Sequence, residues 1–321
     1  MPTPGHSTLE NFRLTVFRAV AAQRSFRRAA EALYLTQPAV TQQIKALESE
    51  LGVPLFDRTG KAVSLTRAGE LLLGRAAESH ELLLHAQADL AALEGRVTGP
   101  LRLAVSMTIV QYILPPMLGR FLRLYPGIDL RMQSANTGDV ATAILDGSVD
   151  LGLVEGPVHR PELKLEPWRR DELVLVVPPG HPWAGRVVSL EELATAPLLM
   201  RERGSGTREV VDAAIEHAFE AAGLPPPKIV PAMELNSTEA LLAYVEQGLG
   251  IGFHSRAAVR GRIRLGSLIP VAVRGLKIAR DLSFVTLRSD EPRGNAALLL
   301  DFLRERRVLP DGRPTRAAVT S

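Results

Sequence analysis

Apolar residues recur every three or four positions near the start of the chain, the spacing of one helix face. Leu9, Phe12, Val16, Phe17 and Val20 predict a first helix over 9–23, with these residues on one side. Ser25 offers an N-cap to a short helix, Phe26–Leu33, in which Ala29 and Ala30 are small enough for another helix to approach closely. The stretch "LTQPAVTQQIKALESELG", Leu35–Gly52, carries its own start and stop. Thr36 can cap it, Pro38 stands in the first turn where a missing N–H costs nothing, and Gly52 follows the last apolar residue. Val40, Ile44, Leu47 and Leu51 make its core stripe. Helix, short helix, tight turn and helix within residues 9–52 predict a helix-turn-helix. Beyond it, "FDRTGKAV" has a turn centred on Thr59-Gly60 between two short apolar segments and reads as a small β-wing, with Arg58 and Lys61 flanking its tip.

Thr66 to Leu93 is a long Ala- and Leu-rich helical stretch. Leu72, Ala76, Ser79, Leu83, Ala86, Leu90 and Leu93 alternate three- and four-residue steps, a coiled-coil-like seam. A second stripe, Leu71 and Leu82, favours self-association. "EGRVTGP" at 94–100 reads as a hinge. The period then changes. Strands are expected at 101–106, 128–135, 149–156 and 171–183, and helices at 111–125 and 138–146. A helix at 189–193, a helix at 207–222, the segment "KIVPAMEL", a helix at 237–247 and the strand "IGFHS" repeat the plan. A strand at 281–288 and a helix at 294–306 close it. Alternating strand and helix imply a parallel α/β sheet with right-handed crossovers, here in two similar halves with a cleft between them.

Composition narrows the function. At 321 residues, 46% apolar and 23% charged, the chain is expected to be a soluble globular protein of two or three domains. Residues 1–65 hold eight Lys/Arg against five Asp/Glu, which accounts for the whole net charge of +3 and weakly favours a polyanionic partner there. There is no cysteine, so disulfides, thiolate nucleophiles and Cys-based metal sites are excluded. The N-terminus lacks a secretory pattern and no apolar run reaches membrane-spanning length, so a cytoplasmic location is expected. Seven scattered histidines form no metal pair, and His181 in "GHPW" reads as a turn. "GLGIG" follows a helix and precedes a strand, the reverse of a dinucleotide fingerprint. Ser205 is not in a nucleophile elbow. No cofactor, metal or catalytic residue is expected, and the chain does not read as an enzyme.

The first half of the Leu35–Gly52 helix is polar, yet only Lys45 is charged there. Amides and hydroxyls on a helix can read base edges: Gln pairs with adenine through two hydrogen bonds, and Thr offers a hydroxyl and a methyl. The candidate base readers are Gln37, Thr41, Gln42 and Lys45. Thr36 suits a phosphate or a cap, and Arg27, Arg28, Arg58 and Lys61 would hold the backbone. In the second half of the chain, Ser106 and Thr108 lie between a strand end and a helix start, where open α/β sheets bind ligands and helix N-termini favour anions. Ser205, Thr207 and Arg208 in "RERGSGTRE", Asn136 and Thr137 in "SANTG", and Ser237 in "ELNST" form loops of the same kind.

Helix-turn-helix, wing, long helix and two-lobed α/β domain, in this order, resemble a LysR-type transcriptional regulator. The resemblance covers roughly Leu9 to Arg306 and is most specific over "FRAVAAQRSFRRAAEALYLTQPAVTQQIKALESELGVPLFDRTGKAVSLTRAGE". "VDLGLVEG" and "GLGIGF" also look like the family's sites. The resemblance implies an α+β multidomain protein: a winged helix-turn-helix DNA-binding domain over 1–65, a dimerising linker helix over 66–94, and a periplasmic-binding-protein-like effector domain over 95–306. Its lobe I would take in about 99–168 and 272–306 and lobe II about 169–271, with a flexible tail at 307–321. It also implies a homodimer or homotetramer on a dyad-symmetric site in double-stranded DNA, with no membrane. Positions matching Ser106, Thr108 and Ser205 would line the effector site, with Glu155 nearby. "VEGP", "PWRRDELVLV", "MRERGSGTRE" and "MELNSTEA" look like the branch of sulfur-assimilation and carbon-fixation regulators, for which a small anion such as sulfite or sulfate, or a small metabolite, would be the effector. The alternative is a two-lobed binding protein or enzyme without a DNA role.

Overall fold

A computed structural model describes residues 9–57, 63–93, 97–225 and 227–305. The chain divides into two compact units, residues 1–100 and 101–321.

The first unit opens with α1 (Phe12–Gln23), α2 (Phe26–Leu33) and α3 (Gln37–Leu51). Each helix is capped from the sequence: Asn11, Ser25 and Thr36 accept hydrogen bonds from the N–H groups of Arg13, Arg28 and Ala39. α3 stops at Gly52, whose φ of +70° is the left-handed conformation that a helix C-cap needs. Val16, Phe17, Val20, Ala29, Ala30, Val40, Ile44 and Leu47 close the core with Leu55 and Phe56. Leu9, Phe12 and Leu51, expected in that core, are about half exposed. Phe12 begins α1 and Leu51 ends α3, so neither has a neighbouring turn to cover it.

β1 (Phe56–Asp57) and β2 (Ser64–Leu65) pair antiparallel as the base of the wing. The wing tip, with Arg58 and Lys61, lies outside the described residues. α4 (Arg67–Leu93) follows. Glu10, a buried carboxylate, accepts from Arg18 and from the Thr15 hydroxyl and stands 2.9 Å from His80 Nδ1, which ties the entry to α1 onto α4. Leu71, Leu82 and Leu90 of α4 are exposed within this unit.

The second unit begins with β3 (Thr98–Ser106), a π-helical turn (Ile109–Ile113), α5 (Pro115–Leu124), β4 (Gly127–Ala135), α6 (Thr137–Leu145) and β5 (Leu151–Glu155). The single helix expected over 111–125 is thus broken. Pro115 and Pro116 have no N–H to continue the ladder, and Leu114 N–H reaches back five residues to the Ile109 carbonyl. Next come β6 (Leu163–Val177), β7 (Val187–Val188), α7 (Leu190–Ala194), β8 (Leu199–Arg201), α8 (Gly206–Ala221), β9 (Met233–Leu235), α9 (Thr238–Glu246) and β10 (Gly252–Ser255). α10 (Arg256–Leu265), β11 (Ile269–Val273), β12 (Ile278–Leu287) and α11 (Gly294–Glu305) complete the unit.

The main sheet has the order β4-β3-β5-β12-β6-β11-β7, and β10 also pairs with β6. The sheet is mixed rather than parallel: β3 and β5 run parallel, but β12 lies antiparallel to both β5 and β6. β6 and β12 are the long strands, and each serves both lobes. Their N- and C-terminal stretches carry separate cores. Val285 packs with Val140, Ile144 and Val154, whereas Leu173, Leu175 and Ile278 pack with Val211, Ile215 and Phe253. β6 starts at Leu163, well before the strand expected from 171, because prolines and charges obscure its first half.

His254 on β10 is 3% exposed, and its Nε2 has no hydrogen-bond partner among the described residues. Burial first, then the charges of Arg262 and Arg201, holds its pKa down at about 3. The folded state therefore refuses a proton that the unfolded chain accepts near pH 6.5. The stability this neutral histidine contributes is complete above pH 6.5 and is lost as the pH falls toward 3. Thermal melts of the full chain should show about 2 kcal/mol less stability from this group at pH 5 than at pH 8. A His254→Met variant should lack that part of the pH slope; an unchanged slope would show that His254 does not cause it.

Candidate functional site

In the first unit, Gln37, Thr41 and Lys45 stand four residues apart on one face of α3, and Gln42 is beside them. Gln37, Gln42 and Lys45 are exposed. Thr41 is half-buried and its hydroxyl donates to the Gln37 carbonyl at 3.0 Å. Thr36 is the N-cap, so its side chain has a structural duty already. Arg27 and Arg28 are exposed on α2, with Arg27 only 3.8 Å from Glu31. Tyr34, in the turn between α2 and α3, is 85% exposed at φ 55°.

In the second unit, a buried polar cluster joins the two lobes. Its centre is Arg280 on β12, whose side chain is 1% exposed. The guanidinium pairs with Asp171 of β6, with Nε 2.9 Å and Nη2 2.8 Å from Oδ2. It donates to the hydroxyls of Thr207 at 2.7 Å and Thr108 at 3.4 Å. Glu155, at the end of β5, is held more loosely. Its Oε2 lies 3.1 Å from Arg280 Nη2 but outside hydrogen-bond geometry, and its Oε1 accepts from Thr207 at 3.4 Å. Asp171 is fixed a second time by the Ser255 hydroxyl at 2.8 Å. Ser106 and Thr137 stand 3.4 Å apart beside it, and Thr137 donates to the Glu155 carbonyl.

Gly206 makes this closeness achievable. A Cβ there would fall 1.6 Å from the Glu155 carbonyl oxygen. The first turn of α8 thus rests directly on the end of β5, and the Gly138 N–H donates to the Gly204 carbonyl nearby.

Of the residues singled out in the sequence, Ser106, Thr108, Thr137, Glu155 and Thr207 meet in this cluster, and Ser205 is buried at the N-cap of α8 beside it. Three others do not meet there. Asn136 caps α6 by accepting from Asp139 N–H, and Ser237 caps α9 by accepting from Ala240 N–H. Arg208 turns away to Asp212 at 2.6 Å and Glu234 at 3.0 Å. The cation within the buried cluster is Arg280, and Arg208 pairs outside it. Arg280, Asp171 and Ser255 went unread in the sequence, although a signal was present. Arg280 falls in phase with the inward Ile278 and Leu282, and Asp171 in phase with Leu173 and Leu175. A charge in the buried phase of a strand marks a functional or paired group. No group of three or more His, Cys, Asp or Glu residues suited to a metal occurs among the described residues, and no described helix is long and apolar enough to cross a membrane.

A helix-turn-helix unit followed by a two-lobed α/β unit with a polar site between its lobes defines a ligand-responsive DNA-binding regulator. Residues 12–70 match the bacterial regulatory helix-turn-helix protein family, lysR type, and residues 94–307 match the LysR substrate binding domain. The chain belongs to the LysR family of transcriptional regulators and is not an enzyme. It is 40% identical over 277 residues to the uncharacterized HTH-type transcriptional regulator YeiE of Escherichia coli (strain K12), a match covering 86% of this chain and 90% of that one. It is 35% identical over 291 residues to the RuBisCO operon transcriptional regulator of Allochromatium vinosum, covering 90% and 94%. The HTH-type transcriptional regulator CysL of Bacillus subtilis (strain 168) is 32% identical over 292 residues, covering 91% and 95%. Among solved structures, the Synechocystis PCC6803 CcmR regulatory domain in complex with 2-PG superposes with a TM-score of 0.56 at 26% identity, covering 64% of this chain and 95% of that domain.

Proposed function

We propose that α3 reads base edges with Gln37, Thr41, Gln42 and Lys45, and that Arg27, Arg28, Arg58 and Lys61 hold the phosphates. What supports this is the polar face of α3, on which Gln37, Gln42 and Lys45 are exposed and Lys45 is the one charge among the four. The exposed Leu71, Leu82 and Leu90 of α4 support self-association into a homodimer or homotetramer, which in turn suits a dyad-symmetric site. Gln42→Ala should reduce the ratio of specific to non-specific DNA binding by about tenfold, the loss of one bidentate base contact. Lys61→Ala should weaken both kinds of binding alike and flatten the salt dependence. Equal loss of both kinds of binding in Gln42→Ala, measured across a salt series, would reject base reading.

The effector is a small anion of the sulfite or sulfate class, bound where Glu155 now meets Arg280. The observation that carries this reading is the unequal grip on Arg280. Asp171 holds it with two short contacts and is itself braced by Ser255, whereas Glu155 has a single contact of poor geometry. One guanidinium faces two carboxylates, so a third anion enters only by taking the place of one. Glu155 is the one that yields, which frees the end of β5 from α8 and alters the angle between the lobes. Thr207, Thr108, Ser106 and Ser205 supply hydroxyls to the incoming oxyanion. The complex of the CcmR regulatory domain with 2-PG supports a small-molecule effector on this fold. Calorimetry of the full chain with sulfite, sulfate, phosphate and organic acids tests the proposal. Sulfite or sulfate should bind, Thr207→Val should weaken that binding at least tenfold, and Glu155→Gln should strengthen it by removing the competing charge. No heat from any inorganic anion would overturn the oxyanion class.

A further inference from the structure

A second cavity, of about 840 Å³, opens elsewhere in the second unit. Its walls are the π-helical turn with the start of α5 on one side and the start of α10 on the other, over a floor of β6 and β12. Five arginines line it, Arg120, Arg169, Arg170, Arg256 and Arg260, against two carboxylates. Both carboxylates are already committed. Glu172 accepts from Arg256 at 2.7 Å, and Asp171 is taken by Arg280 and Ser255. Arg120 and Arg170 are exposed and make no ion pair among the described residues. Arg169 is half-buried, its guanidinium carbon 5.6 Å from the centre of the Trp168 ring, and burial draws its pKa below that of an ordinary arginine. Arg120 and Arg170 thus bring two positive charges to one concavity, an arrangement that an anion would stabilise.

The rest of the lining is apolar, with Ile113, Met117, Ile263 and Leu282. Tyr112 also lines the cavity, and its hydroxyl is buried with no hydrogen-bond partner among the described residues. The N-terminal turn of α10, with Arg256 and Ala257 in the wall, adds backbone dipoles of the same sign. The space matches the size of sites that enclose an organic ligand and far exceeds what one inorganic ion fills.

We propose that this cavity is a second ligand site, for a phosphorylated organic metabolite. The phosphate lies on the guanidinium forks, whose planar paired donors suit its oxygens. The carbon body lies against the apolar part of the lining, with Ile113 and Ile263. The site stands apart from the central cluster, because its cations are Arg120 and Arg170 and the central cluster's is Arg280. The two are neighbours through β6 and β12: Asp171 forms part of this wall while holding Arg280, and Leu282 lies two residues beyond Arg280.

Titration calorimetry of the full chain with adenosine monophosphate, 3-phosphoglycerate and orthophosphate tests this. At least one of the two organic phosphates should bind tenfold or more tighter than orthophosphate. The exposed pair Arg120→Ala/Arg170→Ala should weaken that binding tenfold or more with an unchanged melting temperature, and Thr207→Val should leave it intact. Absence of binding by both organic phosphates, equal affinity for orthophosphate, binding that survives the double arginine variant, or binding lost in Thr207→Val would each overturn the proposal. The last result would place the ligand in the central cluster, whereas a failure of sulfite and sulfate to bind there would leave this site standing.

Discussion

Arg280→Ala should destabilise the second unit by about 3–5 kcal/mol, the usual penalty for stripping a buried ion pair of one partner. The substitution leaves Glu155 and Asp171, 2% and 6% exposed at their side chains, facing each other without a cation. It also removes the donors to Thr207 and Thr108. For a unit of this size the melting temperature should fall by roughly 10 °C. The cause can be separated from simple loss of packing. Combining Arg280→Met with Glu155→Gln and Asp171→Asn removes all three charges together, and it should recover most of the lost stability. If Arg280→Ala melts within about 1 °C of the wild type, the guanidinium is not the keystone of the cluster.

Gly206→Ala should have an effect of similar size by a different route. Its Cβ would meet the Glu155 carbonyl oxygen at 1.6 Å and Thr137 Oγ1 at 2.7 Å. Backbone cannot rotate away as a side chain can, so the cost should reach or exceed the roughly 1–3 kcal/mol of ordinary overpacking. Relief comes only by moving α8 away from β5, which separates the lobes at the point where the cluster joins them. Small-angle scattering or a crystal structure of the variant should show that separation, and on the proposed reading DNA binding should lose its response to the oxyanion effector. A variant with wild-type lobe spacing and wild-type stability would refute this role for Gly206.

Much of this architecture is legible in the residues themselves. The caps Asn11, Ser25 and Thr36, the stop at Gly52, and the apolar stripe Val40, Ile44 and Leu47 write local structure in local chemistry. Ends are less legible, as Leu9, Phe12 and Leu51 show, because burial there depends on which element comes alongside rather than on helical spacing. The crossing strands were harder still. β6 and β12 serve two lobes, so their alternation changes partner midway, and charged positions such as Arg169 and Arg170 blur the first half of β6. α10 hides for another reason: four arginines leave it only Ala258 and Val259 as fully buried residues. The hydroxyl loops around Ser106, Thr137 and Thr207 could be read from strand ends and helix starts. That they share one cation from β12 could not, since Arg280 is 73 residues from Thr207 and 172 from Thr108 along the chain.

The double hold on Asp171 has a consequence for sensitivity. On the proposed reading, a pocket that already holds its own counter-ion answers only to higher effector concentrations, because every incoming anion competes with the resident Glu155 carboxylate. The apparent affinity is the intrinsic one scaled by the fraction of molecules in which that carboxylate has let go. Ser255 bonds to Asp171 and accepts from the N–H of Ala257, so it helps keep Asp171 on Arg280. An exchange at Ser255 that loosens Asp171 would therefore let either carboxylate give way and shift the set-point of the proposed switch.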